Sequence, residues 1–243
     1  MGVKYDSNEK FFDIWGPEMA YVLGFMFADG SLEDASYLRG KYVRVSSTDK
    51  DRIVAIKSLL NSEHTIVRRD LGGNHKTTYL LRIGSHTLFD RLASLGVTPH
   101  KSLTMQFPKM PPKYLADFVR GYFDGDGCAY IDKGLDGRPK RLLSVFTSGS
   151  KSFLEGLHTS LVSNIGIIGT GLHPHGSTHG AYQLRYSTRD SLRLFQLMYK
   201  GIVPKKLHLQ RKYDIFTWYL KKRNLPIRDI SFVLEQAGPM VKR

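Results

Sequence analysis

The sequence predicts an α+β fold of two pseudo-symmetric halves, each running helix, two strands, helix, two strands, helix. Three observations carry this. The phrase Tyr21-Val22-Leu23-Gly24-Phe25-Met26-Phe27-Ala28-Asp29-Gly30 returns as Phe118-Val119-Arg120-Gly121-Tyr122-Phe123-Asp124-Gly125-Asp126-Gly127, with Gly121 following Gly24 by 97 residues. The repeat continues in order beyond it. Val45-Ser46-Ser47-Thr48-Asp49 is echoed by Val145-Phe146-Thr147-Ser148-Gly149, Tyr79-Leu80-Leu81-Arg82-Ile83 by Tyr182-Gln183-Leu184-Arg185-Tyr186, and Leu95-Gly96-Val97 by Lys200-Gly201-Ile202. Two long copies indicate a duplication and not a solenoid, which needs about three or more short units. Finally, helical spacing alternates with short strand-like runs in the same sequence in both copies.

Each element has a local reason. Pro17 and Glu18 after Gly16 mark a helix start, and the helix runs to about Asp29, where Gly30 ends it. Two short strands follow around Tyr37 to Ser46. Asp49 to Leu60 has helical spacing, with Asp49 as its cap. Thr65 to Asp70 and Thr78 to Ile83 form a hairpin around Gly72-Gly73-Asn74, and Thr87 to Leu95 is a helix. In the second copy, Pro111-Pro112 begins the motif helix and Gly127 ends it. Its strands lie near Ala129 to Asp132, Leu142 to Thr147, Ile167 to Leu172 and Tyr182 to Tyr186. A further helix, about Leu207 to Lys222, closes the chain. The first half therefore spans residues 1–100, a linker 101–110, and the second half with its extra helix 111–243.

Bulk properties narrow the partner. Lys and Arg number 36 against 22 Asp and Glu, a formal charge of +14 over 243 residues. That surplus points to a polyanion, above all nucleic acid. No apolar run reaches the roughly 18 residues needed to span a bilayer, so no membrane is expected. A single Cys128 excludes an internal disulfide framework and fits a reducing, intracellular setting.

The motif itself carries chemistry. Gly24 and Ala28, like Gly121 and Gly125, are four apart and share a helix face, so two backbones can cross closely there. Such a crossing sets Asp29 and Asp126 side by side at helix C-termini, where the dipole disfavours a carboxylate by about 0.3–1 kcal/mol. A cation must offset this. Oxygen-ligated Mg²⁺ suits a sparse carboxylate set completed by phosphate and water, and Mn²⁺ or Ca²⁺ can occupy the same positions. Two such ions serve phosphodiester cleavage. Gly30 and Gly127, next to the acids, are counted with the metal site.

Val22 to Gly30 and Val119 to Gly127 resemble the paired nonapeptides of the LAGLIDADG homing endonucleases in their single-chain, double-motif form. The resemblance covers nearly the whole chain, including Pro108-Lys109-Met110-Pro111 before the second motif. It implies two αββαββα halves, each with a four-stranded antiparallel sheet, forming a saddle over duplex DNA. It also implies metal binding by Asp29 and Asp126 and a staggered double-strand cut in a long asymmetric target, by a monomer located with its host DNA. Phe27 replaces the first acid of motif one. The polar residue that follows the second strand in the family corresponds to Ser47 and Thr147, which are assigned to catalysis. The family's lysine near the end of the fourth strand has no clear counterpart around Gly84-Ser85 or Ser187-Thr188.

On alternating strands one face takes the ligand. Arg44, Arg82 and Arg185 are the first choices for base-edge contacts, with Arg68 or Arg69 next. Arg39, Lys41, His75, Lys76, Lys133, Arg138, Lys140 and Arg141 suit phosphates at hairpin tips. His173 and His175, within a run reaching His179, read as a DNA-facing hairpin in preference to a zinc site, which commonly needs four ligands. Basic residues of the last helix, Lys212 among them, read as a solvated face. The expected activity is sequence-specific, metal-dependent DNA cleavage. The alternatives are a non-cleaving DNA-binding regulator of the same fold and an RNA-binding intron maturase.

Overall fold

The computed structural model describes residues 5–35, 40–70, 72–74, 76–98, 103–169, 171–175, 180–200 and 207–226. The first copy comprises α1 (Pro17–Asp29), β1 (Gly30–Ala35), β2 (Gly40–Ser47), α2 (Lys50–Leu59), β3 (Ile66–Arg69), β4 (Thr78–Gly84) and α3 (His86–Ser94). The second comprises α4 (Leu115–Asp126), β5 (Gly127–Lys133), β6 (Pro139–Ser148), α5 (Lys151–Ile165), β7 (Leu172–Pro174), β8 (Tyr182–Tyr186) and α6 (Thr188–Tyr199), and α7 (Gln210–Lys222) follows it. The expected order of elements is present in both. The protein is α+β, with two four-stranded sheets ordered β1-β2-β4-β3 and β5-β6-β8-β7. All pairings described are antiparallel. Among the described residues, no helix is long and apolar enough to cross a membrane.

The chain divides into two compact units, residues 1–125 and 126–243. All of α4 but its last residue thus belongs to the first unit.

In that unit α1 is buried on every side, from Met19 to Phe27. A helix apolar all round belongs inside a core. Val43, Val45, Leu81 and Ile83 turn to the helix-covered side of the first sheet and are at most 4% exposed. Ser85 caps α3 by accepting the Leu88 N–H at 3.2 Å and donates to Glu9 at 2.7 Å. The β3–β4 turn requires glycine, because Gly72 and Gly73 both have positive φ (69° and 59°).

In the second unit Leu142, Phe146, Leu184 and Tyr186 form the covered side of the sheet and are buried. Ser150 caps α5 through the Phe153 N–H at 3.2 Å, and Gly166 ends it in the left-handed conformation.

Several boundaries differ from the sequence reading, although α1 ends at Asp29 as expected. The first strand begins at Gly30, well before Tyr37, which lies outside the described residues. Gly30 ends α1 in an extended conformation (φ −88°), its N–H bonded to the Met26 carbonyl. Glycine is needed there because a Cβ would approach the Met26 Cα at 2.7 Å. Pro112–Tyr114 form a 3₁₀ turn before α4 starts at Leu115. The strand expected at Ile167 starts only at Leu172, because Asp190 accepts the Gly169 N–H at 2.7 Å and holds that stretch as a loop.

Candidate metal and nucleic-acid site

The two motif helices cross without side chains at the contact. A Cβ on Gly24 would collide with the Phe118 carbonyl and stand 2.9 Å from Tyr122 N. One on Gly121 would collide with the Tyr21 carbonyl and stand 3.0 Å from Phe25 N. One on Gly125 would collide with the Ala28 methyl and lie 3.2 Å from Asp29 Oδ2. All these residues belong to the first unit. Around the contact Phe118 meets Phe27 and Phe107 edge-on, with ring centroids 5.4 and 5.6 Å apart. A polar contact sits in the same core. The Tyr21 hydroxyl donates to Asp124 Oδ2 at 2.8 Å, with the Arg120 guanidinium 5.6 Å from the Tyr21 ring centroid. Burial, and then the Asp124 charge, push the Tyr21 hydroxyl's pKa well above its ordinary value.

Asp29 is the last residue of α1 and half-buried; Asp126 is the last residue of α4 and exposed. In each case a strand starts at the next residue. The carboxylates are hard oxygen donors at negative helix ends and fit a divalent cation. The described residues contain no group of three or more His, Cys, Asp or Glu able to hold a metal, so a cation at these acids needs water and phosphate to complete its shell. The glycines beside them differ from expectation in one respect. The Gly127 carbonyl already accepts the Lys212 ammonium at 2.6 Å. A second cation on that oxygen would be repelled.

Strand register corrects one assignment. Gly30 faces Val45, while Gly127 faces Phe146. Ser46, not Ser47, is therefore the structural counterpart of Thr147. The counterpart of Ser47 is Ser148, and both behave alike: Ser47 Oγ accepts the Asp49 N–H at 3.1 Å and Ser148 Oγ the Ser150 N–H at 3.0 Å. Both serve the turn into the next helix. Thr147 Oγ1 accepts the Gln183 amide at 3.2 Å, and Gln183 Oε1 accepts Arg185 Nε at 2.9 Å.

On the uncovered face of the first sheet Arg44 and Arg82 stand directly opposite each other. Glu33 of β1 holds both. It accepts Arg82 Nε at 3.0 Å and lies 3.9 Å from Arg44 Nη1. The hydrogen bond from Arg82, more than the surrounding charge, holds the Glu33 carboxyl below its usual range. The Arg82 guanidinium also stacks 3.3 Å over the Tyr42 ring. Register decides between Arg68 and Arg69. Val67 pairs with Leu80 and Arg69 with Thr78, so Arg69 shares the Arg82 face; Arg68 takes the opposite parity and bonds Asp70 at 3.2 Å. Lys41 also takes the helix-covered parity, with its ammonium on Asp90 at 2.6 Å and 4.9 Å from the Phe89 ring centroid. It is removed from the surface expected to meet phosphate.

On the second sheet Arg185, Thr147, Gln183 and His173 share the uncovered face, as do Cys128, Tyr130 and Arg141. Arg141 is anchored to Asp132 Oδ2 at 2.7 Å. Lys76, Lys133, Arg138, Lys140 and His175 are exposed around the hairpin tips. Arg39 and His75 lie outside the described residues, as do residues 176–179.

Four participants were missed from the sequence: Glu33, Tyr42, Gln183 and Lys212. For Glu33 the signal needed was a strand starting at Gly30. For Lys212 it was helical spacing: Lys212 falls on the stripe of Leu209, Phe216, Tyr219 and Leu220 and is 4% exposed, not solvated.

Two αββαββα copies whose glycine-bared helices end in acids that lead straight into sheets give this chain the fold of solved LAGLIDADG homing endonucleases. A model of the LAGLIDADG-like domain matches residues 113–198. Among solved structures, the homing endonuclease I-WcaI bound to its DNA recognition sequence is similar at a TM-score of 0.56 and 15% identity, over 84% of this chain and 91% of that one. The LAGLIDADG homing endonuclease I-GzeII with its DNA target gives 0.53 and 13%, over 94% of both. I-SmaMI bound to uncleaved DNA in the presence of calcium ions gives 0.53 and 13%, over 87% and 92%. Among curated proteins, reverse gyrase of Methanocaldococcus jannaschii is 27% identical over 62% of this chain and 8% of its own length. A probable translation initiation factor of the same organism is 29% identical over 58% of this chain and 11% of its own. The chain thus spans about a tenth of these relatives. Their names share no activity.

Proposed function

We propose that the chain is a site-specific double-strand DNA endonuclease in which Asp29 and Asp126 hold divalent cations. The observation that carries this is the junction seen twice: an acid ends a motif helix, and the next residue opens a sheet whose uncovered face bears arginines. The fold comparisons and the formal charge of +14 support the same reading.

Each residue has a task. Asp29 and Asp126 are the donors for the ions; Mg²⁺ is the natural occupant, and the calcium-containing neighbour is consistent with a divalent site. Bound ions would activate the attacking water and stabilise the leaving oxygen. Arg44, Arg82, Arg69 and Arg185 face the base edges, where a good bidentate Arg–guanine pair discriminates by about 1–3 kcal/mol. Lys76, Lys133, Arg138 and Lys140 at the hairpin rims contact phosphate. Ser46 and Thr147, the register-matched polar pair, each lie on the uncovered face of their own sheet and orient water or phosphate. The chain acts where its host DNA lies.

The test is selection of cleaved sites from a randomised duplex library with Mg²⁺, beside Asp29→Asn and Asp126→Asn. Wild type is expected to cut both strands of a recovered site, and each variant to lose cutting while keeping affinity for the duplex. Tight binding by wild type without cutting of any recovered site would overturn the nuclease reading in favour of a regulator.

A further inference from the structure

Lys212 is 4% exposed and donates from Nζ to the Gly127 carbonyl at 2.6 Å. It comes from α7, which packs on β5 and β6 of the second unit. Burying an ammonium costs several kcal/mol unless it is well compensated, and an apolar residue of similar volume usually packs there as well or better. Core filling therefore does not explain a lysine here. The place it reaches does. Gly127 follows the last residue of α4, where the carbonyls carry the negative end of the helix dipole and cations are favoured.

We propose that Lys212 is a positioning residue for the Asp126 carboxylate, acting through the end of α4. Only the φ and ψ of Gly127 separate its carbonyl from Asp126, and pairing of Gly127 with Phe146 in the sheet restrains both, so a carbonyl held by Lys212 restrains the residue before it. The ammonium also offsets the field that disfavours a carboxylate at this helix end. Among the described residues, only the second copy is followed by such a helix; at the first acid's junction, the Gly30 N–H bonds the Met26 carbonyl. The Lys212 contact belongs to the Asp126 junction, so a strand cut that depends on Asp126 is the one it affects. This inference rests on the endonuclease reading.

The experiment uses the full chain and a recovered target duplex, end-labelled on each strand in turn, under single-turnover conditions with Mg²⁺. Lys212→Met is expected to leave duplex affinity in Ca²⁺ unchanged and to slow one strand by about ten- to a hundredfold, the scale of a small misplacement of a reacting group. Nicked product then accumulates. Lys212→Gln, which can still donate to the carbonyl, is expected to restore part of the rate. Without metal or DNA, the Gly127 carbonyl ¹³C resonance is expected to shift upfield in Lys212→Met. Phe216→Leu, on the same stripe, controls for packing. Equal slowing of both strands, no slowing, or the same bias in Phe216→Leu would each overturn the proposal. Should Lys212→Met not fold, Lys212→Gln that slows one strand more than the other and moves the Gly127 shift supports it, and wild-type strand balance or equal loss on both strands overturns it. Wild type that cuts neither strand overturns the endonuclease reading instead.

Discussion

Gly24 packs directly against the Phe118 carbonyl, so that no side chain of any size fits between α1 and α4. Gly121 stands in the reciprocal relation to the Tyr21 carbonyl. Gly24→Ala or Gly121→Ala must push two backbones apart, and overpacking of this kind costs typically about 1–3 kcal/mol, more when backbone has to move. For a chain of this length each kcal/mol lowers Tm by about 2–4 °C. Gly16→Ala, where a Cβ meets nothing within 4 Å, is the comparison, and calorimetry or thermal circular dichroism reads the difference.

Tyr21→Phe removes a hydrogen-bond donor from the buried Asp124 carboxylate within the crossing, and a hydrogen bond to a charged group contributes about 1.5–3 kcal/mol. The raised Tyr21 pKa also makes a pH prediction. The folded state holds the phenolic proton more tightly, so the stability it confers is full below the unfolded value of about 10 and is lost as pH rises beyond it. Urea midpoints measured from pH 8 to 11 are expected to fall less steeply in Tyr21→Phe than in wild type.

Glu33→Gln removes the charge that holds Arg82 and Arg44. For such half-exposed pairs the effect is about 1 kcal/mol or less. Affinity for random duplex is expected to rise by that amount, while preference for the recovered target falls. Arg82→Ala is expected to weaken the specific complex by about 1–3 kcal/mol if it reads a guanine. Fluorescence anisotropy at one fixed salt concentration measures both.

His64 gives an acid-side prediction. Its Nε2 accepts the Gly84 N–H at 3.2 Å, which requires that nitrogen to be unprotonated. Burial, and then the Lys57 charge, lower its pKa below 6.5. The contribution is full above pH 6.5 and is lost as pH falls through the lowered value. Denaturant midpoints are expected to drop between pH 7 and 5 in wild type, and less so in His64→Gln, whose amide oxygen can still accept.

The repeat made most of this fold legible. Two copies fixed the element order, and the small-residue spacing at Gly24 and Gly121 foretold a bare helix crossing. The placement of Asp29 and Asp126 at helix ends followed from the glycines after them. What failed were features set by pairing partners across the sheet. Gly30 reads locally as a stop, yet extended backbone there opens a strand, and that hid Glu33. A one-residue shift between β2 and β6 is invisible without register, so Ser47 was matched to Thr147 in place of Ser46. Lys41 alternates with Tyr42 on the same strand, and only the facing helix shows that Asp90 claims it. Lys212 was set aside because lysines are usually solvated, although its spacing placed it among buried residues.

Because α1 gives way to β1 across a single peptide bond, and α4 to β5 likewise, neither acid has slack relative to the strand that begins beside it. On the endonuclease reading proposed above, a mispaired base that tilts the strand shifts the carboxylate with it, so the check on pairing and the cut share one short junction.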